Sequence, residues 1–111
     1  LRPVIINDLI FTISMKGYLI IMEKNTGNII RSNYLLNKFK AKNRLKIRPA
    51  GFIVGNKNIY LSTNIGRFLV IDIANGETKT ILKIDNKKIS RPAIFNKNLY
   101  LITDNSIIKL N

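Results

Sequence analysis

An internal repeat restricts the fold of this chain more than any other feature of its sequence. The dipeptide Arg-Pro occurs at residues 2–3, 48–49 and 91–92, and a short apolar stretch follows each copy. A Gly before an apolar run, an acid at the end of that run and a second Gly also recur 49 residues apart. These pairs are Gly17 and Gly66, Glu23 and Asp72, and Gly27 and Gly76. Features kept in register over several copies indicate one structural unit repeated along the chain.

Each full copy divides into four short segments rich in Ile, Val, Tyr, Phe and Thr, residues that favour pleated strands. Asn- and Gly-containing turns separate these segments. The predicted strands are 4–6, 9–14, 18–23 and 29–35 in the first copy and 51–54, 58–63, 68–73 and 78–84 in the second. The third copy stops after its third strand. We predict no helix, because the best helical candidate, 34–46, has no cap and alternates like a strand.

Four strands in a repeat of about 45 residues are typical of a β-propeller blade. A β-solenoid would have shorter coils, and an immunoglobulin-like sandwich would not repeat. We therefore predict an all-β chain of about two and a half blades: four antiparallel strands in 1–45, four in 46–87 and a partial C-terminal blade in 88–111. One blade cannot bury its faces alone, so we expect further blades upstream or in another chain, and poor folding of this chain by itself.

The chain carries 19 Lys and Arg against 6 Asp and Glu, a net charge of +13, and it has no Cys and no His. The missing residue types exclude a structural zinc site, a His-based triad and a thiol nucleophile. The charge suggests an anionic partner. However, Ile, Asn and Lys, which A/T-rich codons encode, dominate the sequence, and we favour that compositional bias as the origin of the charge.

Three segments, Ile21–Asn28, Phe68–Glu77 and Leu99–Ser106, resemble the pyrroloquinoline-quinone-type β-propeller repeat. That family includes quinoprotein dehydrogenases, which bind the quinone and Ca²⁺ on the propeller axis. Its non-catalytic branch comprises the eight-bladed lipoprotein scaffolds of the outer-membrane β-barrel assembly machinery. In the family a docking Trp follows the turn Gly by four residues, and this chain has Arg31 and Thr80 there.

The resemblance to the non-catalytic branch implies a protein-interaction scaffold on the periplasmic side of the outer membrane. It implies the barrel-assembly machinery as partner and membrane attachment only through an upstream lipid anchor. We expect no catalytic residue, cofactor, metal or specific nucleic acid. The alternative within the family is a fragment of a quinone- and Ca²⁺-dependent dehydrogenase whose site lies mostly in other blades.

The repeated glycines, Gly17, Gly27, Gly66 and Gly76, are interpreted as turn residues that need positive φ, since none opens a helix as a phosphate-binding loop would. Glu23 and Asp72 directly precede turns, so we expect each side chain to cap turn amides. Asp104 and Asn105 are assigned to a turn for the same reason. No pair of carboxylates suggests acid/base catalysis.

The stretch 38–48 has a basic residue at every second position. These residues are Lys38, Lys40, Lys42, Arg44, Lys46 and Arg48. If the stretch is extended, all six side chains project from one face, with Phe39 and Ile47 on the other. Such a ridge could contact an acidic protein, anionic lipid headgroups or a nucleic-acid backbone. The alternative is a solvated edge on which Lys blocks strand pairing.

Arg2, Arg48 and Arg91 each precede Pro at equivalent positions of the repeat. Because the segment after each Pro becomes the innermost strand in the family, the three side chains are predicted to form an arc at one mouth of the central channel. This arc could contact an anion or an acidic peptide. The alternative is a structural role, in which each Arg makes an inter-blade hydrogen bond or a salt bridge, for example with Asp72.

Overall fold

The computed structural model describes residues 1–104 and 106–110, which form three antiparallel sheets. The first sheet has strands β1 (Val4–Ile6), β2 (Leu9–Ile13), β3 (Tyr18–Glu23) and β4 (Ile29–Tyr34). The second has β5 (Pro49–Val54), β6 (Asn58–Thr63), β7 (Arg67–Asp72) and β8 (Thr78–Lys83). The third has β9 (Ala93–Phe95), β10 (Asn98–Ile102) and β11 (Ile107–Leu110). Asn105 and Asn111, assigned above to the third blade, lie outside the described residues.

Neighbouring strands in each sheet are consecutive in sequence and pair antiparallel, in the orders β1-β2-β3-β4, β5-β6-β7-β8 and β11-β10-β9. The predicted all-β architecture is confirmed. Each sheet lies within one of the segments 1–45, 46–87 and 88–111, and we call the three sheets blades 1, 2 and 3. Within a blade, pairs such as Phe11 with Ile21 and Leu61 with Leu69 stand opposite each other on the same face.

The middle blade buries both of its faces because side chains alternate along its strands. Leu69 and Ile71 belong to one buried cluster, which also contains Phe11, Leu19 and other residues of blade 1. Phe68, which precedes Leu69 and points to the opposite face, belongs to a second cluster with Ile89 and Leu101 of the segment that forms blade 3. Blade 2 is therefore held between its two neighbours, and most of the core lies between blades and not within one blade.

The prediction that the chain has no helix is wrong, and residues 38–48 do not have the extended conformation that a basic ridge would require. A short helix, α1 (Ala41–Arg44), forms there, and the amides of Asn43 and Lys46 donate to Lys40 O and Asn43 O at 2.8 and 3.0 Å. This connection between blades has no partner strand, so local turn bonds satisfy its backbone. Burial of Leu36 and Ile47 at its two ends then fixes its path. Lys38 lines a different hollow from Arg44 and Arg48, so the six basic residues do not form one ridge.

The four glycines assigned to turns all have positive φ, from 73° to 92°. The two turns that follow β3 and β7 share one hydrogen-bond pattern, in which Gly27 N donates to Glu23 O and Gly76 N to Asp72 O. The Asp72 carboxylate also accepts from Ala74 N at 2.8 Å, whereas Glu23 closes its turn through backbone atoms. Asp72 is therefore a turn cap, and the salt bridge considered for it with an arginine is not its role.

Candidate partner-binding surface

Arg2 and Arg91 both line a cleft of about 490 Å³ between the inner strands. The lining residues are Leu1, Arg2, Pro3, Val4, Ala50, Gly51, Phe52 and Arg91. Arg91 Nε donates to Phe52 O at 3.3 Å, which is an inter-blade hydrogen bond. The Arg91 stem can approach this closely because Gly51 has no side chain; a Cβ there would lie 2.6 Å from Arg91 Cβ. Two of the three arginines expected in the arc therefore line the same cleft.

Arg48 does not line this cleft, so the predicted arc of three arginines is incomplete. The Asn64 side chain holds the backbone on both sides of Ile47: its Oδ1 accepts from Arg48 N at 2.7 Å and its Nδ2 donates to Lys46 O at 3.0 Å. With its backbone held in this way, Arg48 lines a different surface hollow. The repeat places the three arginines at equivalent sequence positions. However, the connection before β5 is longer than the one before β9, and this gives Arg48 different surroundings.

The second hollow, which we call the basic-aromatic hollow, has a volume of about 420 Å³. Its lining residues are Lys16, Tyr18, Tyr34, Arg44, Leu45, Ile47 and Arg48. They come from the β2–β3 turn, from the ends of β3 and β4 that meet in the Tyr18–Tyr34 register pair, and from the connection 35–48. Three cations and two tyrosines share this hollow, and its lining includes no Asp or Glu.

Arg44 organises one wall of the basic-aromatic hollow. Its Nε donates to Phe39 O at 2.9 Å and its Nη2 donates to Asn37 O at 2.8 Å, so the guanidinium holds the connection in its folded path. The same guanidinium lies 5.9 Å from the centroid of the Tyr34 ring, a cation–π distance. The Tyr18 and Tyr34 rings are 4.9 Å apart, centroid to centroid, with a 42° tilt. The wall is therefore held by contacts within the protein.

The other basic residues singled out in the sequence do not join this hollow. Lys40, Lys42 and Lys46 are exposed, and Lys38 lines a separate hollow near the turn after β7. Lys16, Tyr18 and Tyr34 were missed, because they are distant from residues 38–48 in sequence. The pairing of Tyr18 with Tyr34 could have been predicted, because a hairpin of β3 and β4 places the first residue of β3 opposite the last residue of β4.

Arg31 joins blades 1 and 2 on the outer side. Its Nη1 donates to Asn75 O at 2.9 Å and its Nη2 donates to Ala74 O at 2.7 Å. The guanidinium thus satisfies two carbonyls of the turn that ends at Gly76, and a Cβ on that glycine would collide with the Arg31 and Asn33 side chains. Arg31, at the position of the docking Trp, is therefore an inter-blade contact.

Replacing Arg31 by Ala is expected to lower the free energy of unfolding by about 1 kcal/mol, because two charge-assisted but partly exposed hydrogen bonds are lost. Lys at this position keeps the charge but not the forked geometry, and should recover only part of the loss. Urea denaturation of the full-length protein, followed by circular dichroism, measures the effect. Thr80→Ala, at the equivalent position of blade 2, is the matched control; an equal loss there would contradict a specific role for Arg31.

Solved structures of β-propellers are similar to this chain at low sequence identity. The β-propeller domain of Cps50 (Swd1) from Myceliophteria thermophila is 14% identical and matches 92% of this chain and 34% of its own, with a TM-score of 0.73. BamB from Moraxella catarrhalis is 12% identical over 97% of this chain and 30% of its own, with a TM-score of 0.70. The computationally designed Ika4 protein is 7% identical over 97% of this chain and 62% of its own, with a TM-score of 0.71.

The fold is that of β-propeller blades, and the chain spans less than two thirds of the length of each of these structures. No protein-family model matches the sequence, and no curated protein matches it. Within residues 1–104 and 106–110, no three His, Cys, Asp or Glu side chains are grouped as metal ligands. In the same residues no helix has the length and apolar character to cross a bilayer.

Proposed function

We propose that this chain is part of a non-catalytic β-propeller scaffold that binds a protein partner and assists the assembly of β-barrel proteins into the bacterial outer membrane. The scaffold would act on the periplasmic side of that membrane, attached through a lipid anchor elsewhere in its polypeptide. It has no chemistry of its own and works by presenting loops and strand edges to its partner.

One observation supports the scaffold function most directly. The basic-aromatic hollow offers Lys16, Arg44 and Arg48 beside two tyrosines with no acid in its lining. Tyr and Arg are enriched at protein interfaces, and unbalanced cations favour an oppositely charged surface. The outer-membrane role has a different support: the resemblance of the repeat to the non-catalytic propeller branch, together with the likeness of the fold to BamB.

Reconstitution tests the proposed function. We expect the full-length protein to accelerate the folding of an outer-membrane β-barrel into vesicles that contain the barrel-assembly machinery, and to sediment with those vesicles. Vesicles without the machinery are the control. No acceleration and no co-sedimentation would contradict the proposal, and so would reduction of a dye by the full-length protein that depends on added quinone and Ca²⁺.

A further inference from the structure

We infer that the basic-aromatic hollow binds an acidic peptide segment of a partner protein, with an apolar side chain of that segment packed on Leu45, an inference that rests on the scaffold function proposed above. The occupant is defined by its chemistry: carboxylates for the cations of the hollow and one neighbouring apolar residue for its rim. Free anions lack the second feature, and an apolar peptide lacks the first.

The charges in the hollow favour carboxylates. Lys16 and Arg48 lie in its lining together with Arg44, and within the described part of the chain neither the Lys16 ammonium nor the Arg48 guanidinium has a hydrogen-bond partner. Arg44 is different, because its Nε and Nη2 already bind backbone carbonyls. Two cations are therefore available for an incoming acid, and charge-assisted hydrogen bonds to a carboxylate are stronger than neutral ones.

The rim of the hollow favours an apolar contact beside those acids. Leu45 is 85% exposed, while its neighbour Ile47 is 1% exposed and belongs to the core between blades 1 and 2. Leu45 is also the C-terminal cap residue of α1, so the surrounding turn bonds hold its backbone in one conformation. Because its backbone is already ordered, Leu45 loses only the rotamer freedom of its side chain when a partner covers it.

The aromatic residues favour a peptide over single-stranded nucleic acid. Base stacking requires free ring faces that follow one another along a groove. The Tyr34 ring already contacts the Tyr18 ring and the Arg44 guanidinium, and the two rings are tilted by 42° and not parallel. The pair therefore offers no continuous stacking platform. An exposed Leu on the rim also gives no favourable contact to a phosphate backbone.

Titration of the full-length protein with a labelled peptide of Glu and Leu residues, followed by fluorescence anisotropy, tests the inference. Lys16→Glu is expected to weaken binding about tenfold, since it places a like charge against the peptide. Lys24→Glu is the matched control: both lysines are exposed, and they flank opposite ends of β3. Because the span of this strand, on the order of 20 Å, exceeds the roughly 8 Å Debye length at physiological salt, the control should leave affinity nearly unchanged.

A second substitution tests the apolar contact. Leu45→Ser should weaken binding of the Glu and Leu peptide several-fold but leave binding of a poly-Glu peptide of equal length unchanged. Equal weakening by Lys16→Glu and Lys24→Glu would overturn the inference, because the net charge alone would then drive binding. Tighter binding of a dT oligonucleotide that depends on Tyr18 and not on Leu45 would also overturn it, in favour of nucleic acid.

The reconstituted machinery separates this inference from the proposed function. If Lys16→Glu and Leu45→Ser leave peptide affinity unchanged while the wild-type protein still accelerates barrel folding, the hollow is not the binding site and the scaffold function stands. If the peptide binds as expected but the protein has no effect on the machinery, the inference about the hollow is supported and the proposed outer-membrane role is contradicted.

Discussion

Replacing Gly66 by Ala is expected to destabilise the full-length protein by about 4 kcal/mol or more, which is at the upper end for a single substitution. Gly66 has φ +74°, a conformation that costs an L-residue about 1–2 kcal/mol. A Cβ at this position would also overlap the backbone carbonyl of Asp85 and lie 2.9 Å from Lys87 O. The Asp85 carbonyl cannot easily move away, because the amides of Ile84 and Asp85 both donate to Gly66 O, at 2.9 and 3.2 Å.

Gly27→Ala is the matched control for Gly66→Ala. Gly27 has nearly the same φ, +73°, but an added Cβ would meet no atom within 4 Å. Only the conformational cost remains, so we expect a loss of about 1 kcal/mol. Urea denaturation of both variants, followed by far-ultraviolet circular dichroism, measures the difference. Equal losses at the two positions would contradict the steric explanation for Gly66.

Replacing Phe68 by Ala is the second substitution with a large expected effect, a loss of about 3–5 kcal/mol. Phe68 is 1% exposed and its ring stacks on Tyr60, with centroids 6.0 Å apart and an interplanar angle of 9°. It also packs with Ile89 and Leu101 in the cluster between blades 2 and 3. Truncation therefore leaves a cavity and removes an aromatic contact at the same point. We expect blade 3, which has three strands, to lose protection from amide hydrogen exchange first.

Phe95→Ala makes the same chemical change on the outside of blade 3. Phe95 is 66% exposed, so its truncation should alter the free energy of unfolding by no more than about 0.5 kcal/mol. Chemical denaturation of the two variants in parallel gives the comparison. A loss at Phe95 as large as that at Phe68 would contradict the assignment of Phe68 to the core between the blades.

Most strands were predictable to within about two residues, because each depends on a local signal. Short runs of β-branched, aromatic and other apolar residues mark β2, β3, β6 and β7, and Gly at positive φ lies in the turns between them. The connection 38–48 was not predictable in this way. Its alternation of basic and apolar residues fits a strand, but no partner strand is available there, and turn bonds decide its conformation.

The candidate surface was only partly predictable. Arg44 and Arg48 were identified from their charge. Tyr18 and Tyr34, which line the same hollow, carry no charge and belong to other elements, so the sequence did not point to them. Arg2 and Arg91 were paired through the repeat, and they do line one cleft. The inter-blade role of Arg31 was missed, since the sequence showed only that the docking Trp was absent.

The sequence by itself determined the blade as the repeated unit, the strands within it and the glycines at its turns, because each follows from interactions between residues close along the chain. The tertiary structure alone decided which blade surfaces meet and which cations share a hollow. Lys16 lies in the β2–β3 turn and Arg48 in the connection before β5, and their approach depends on how Leu36 packs against Gly17 and how Ile47 is buried in the core. Such contacts arise only when whole sheets pack, and no local pattern specifies them.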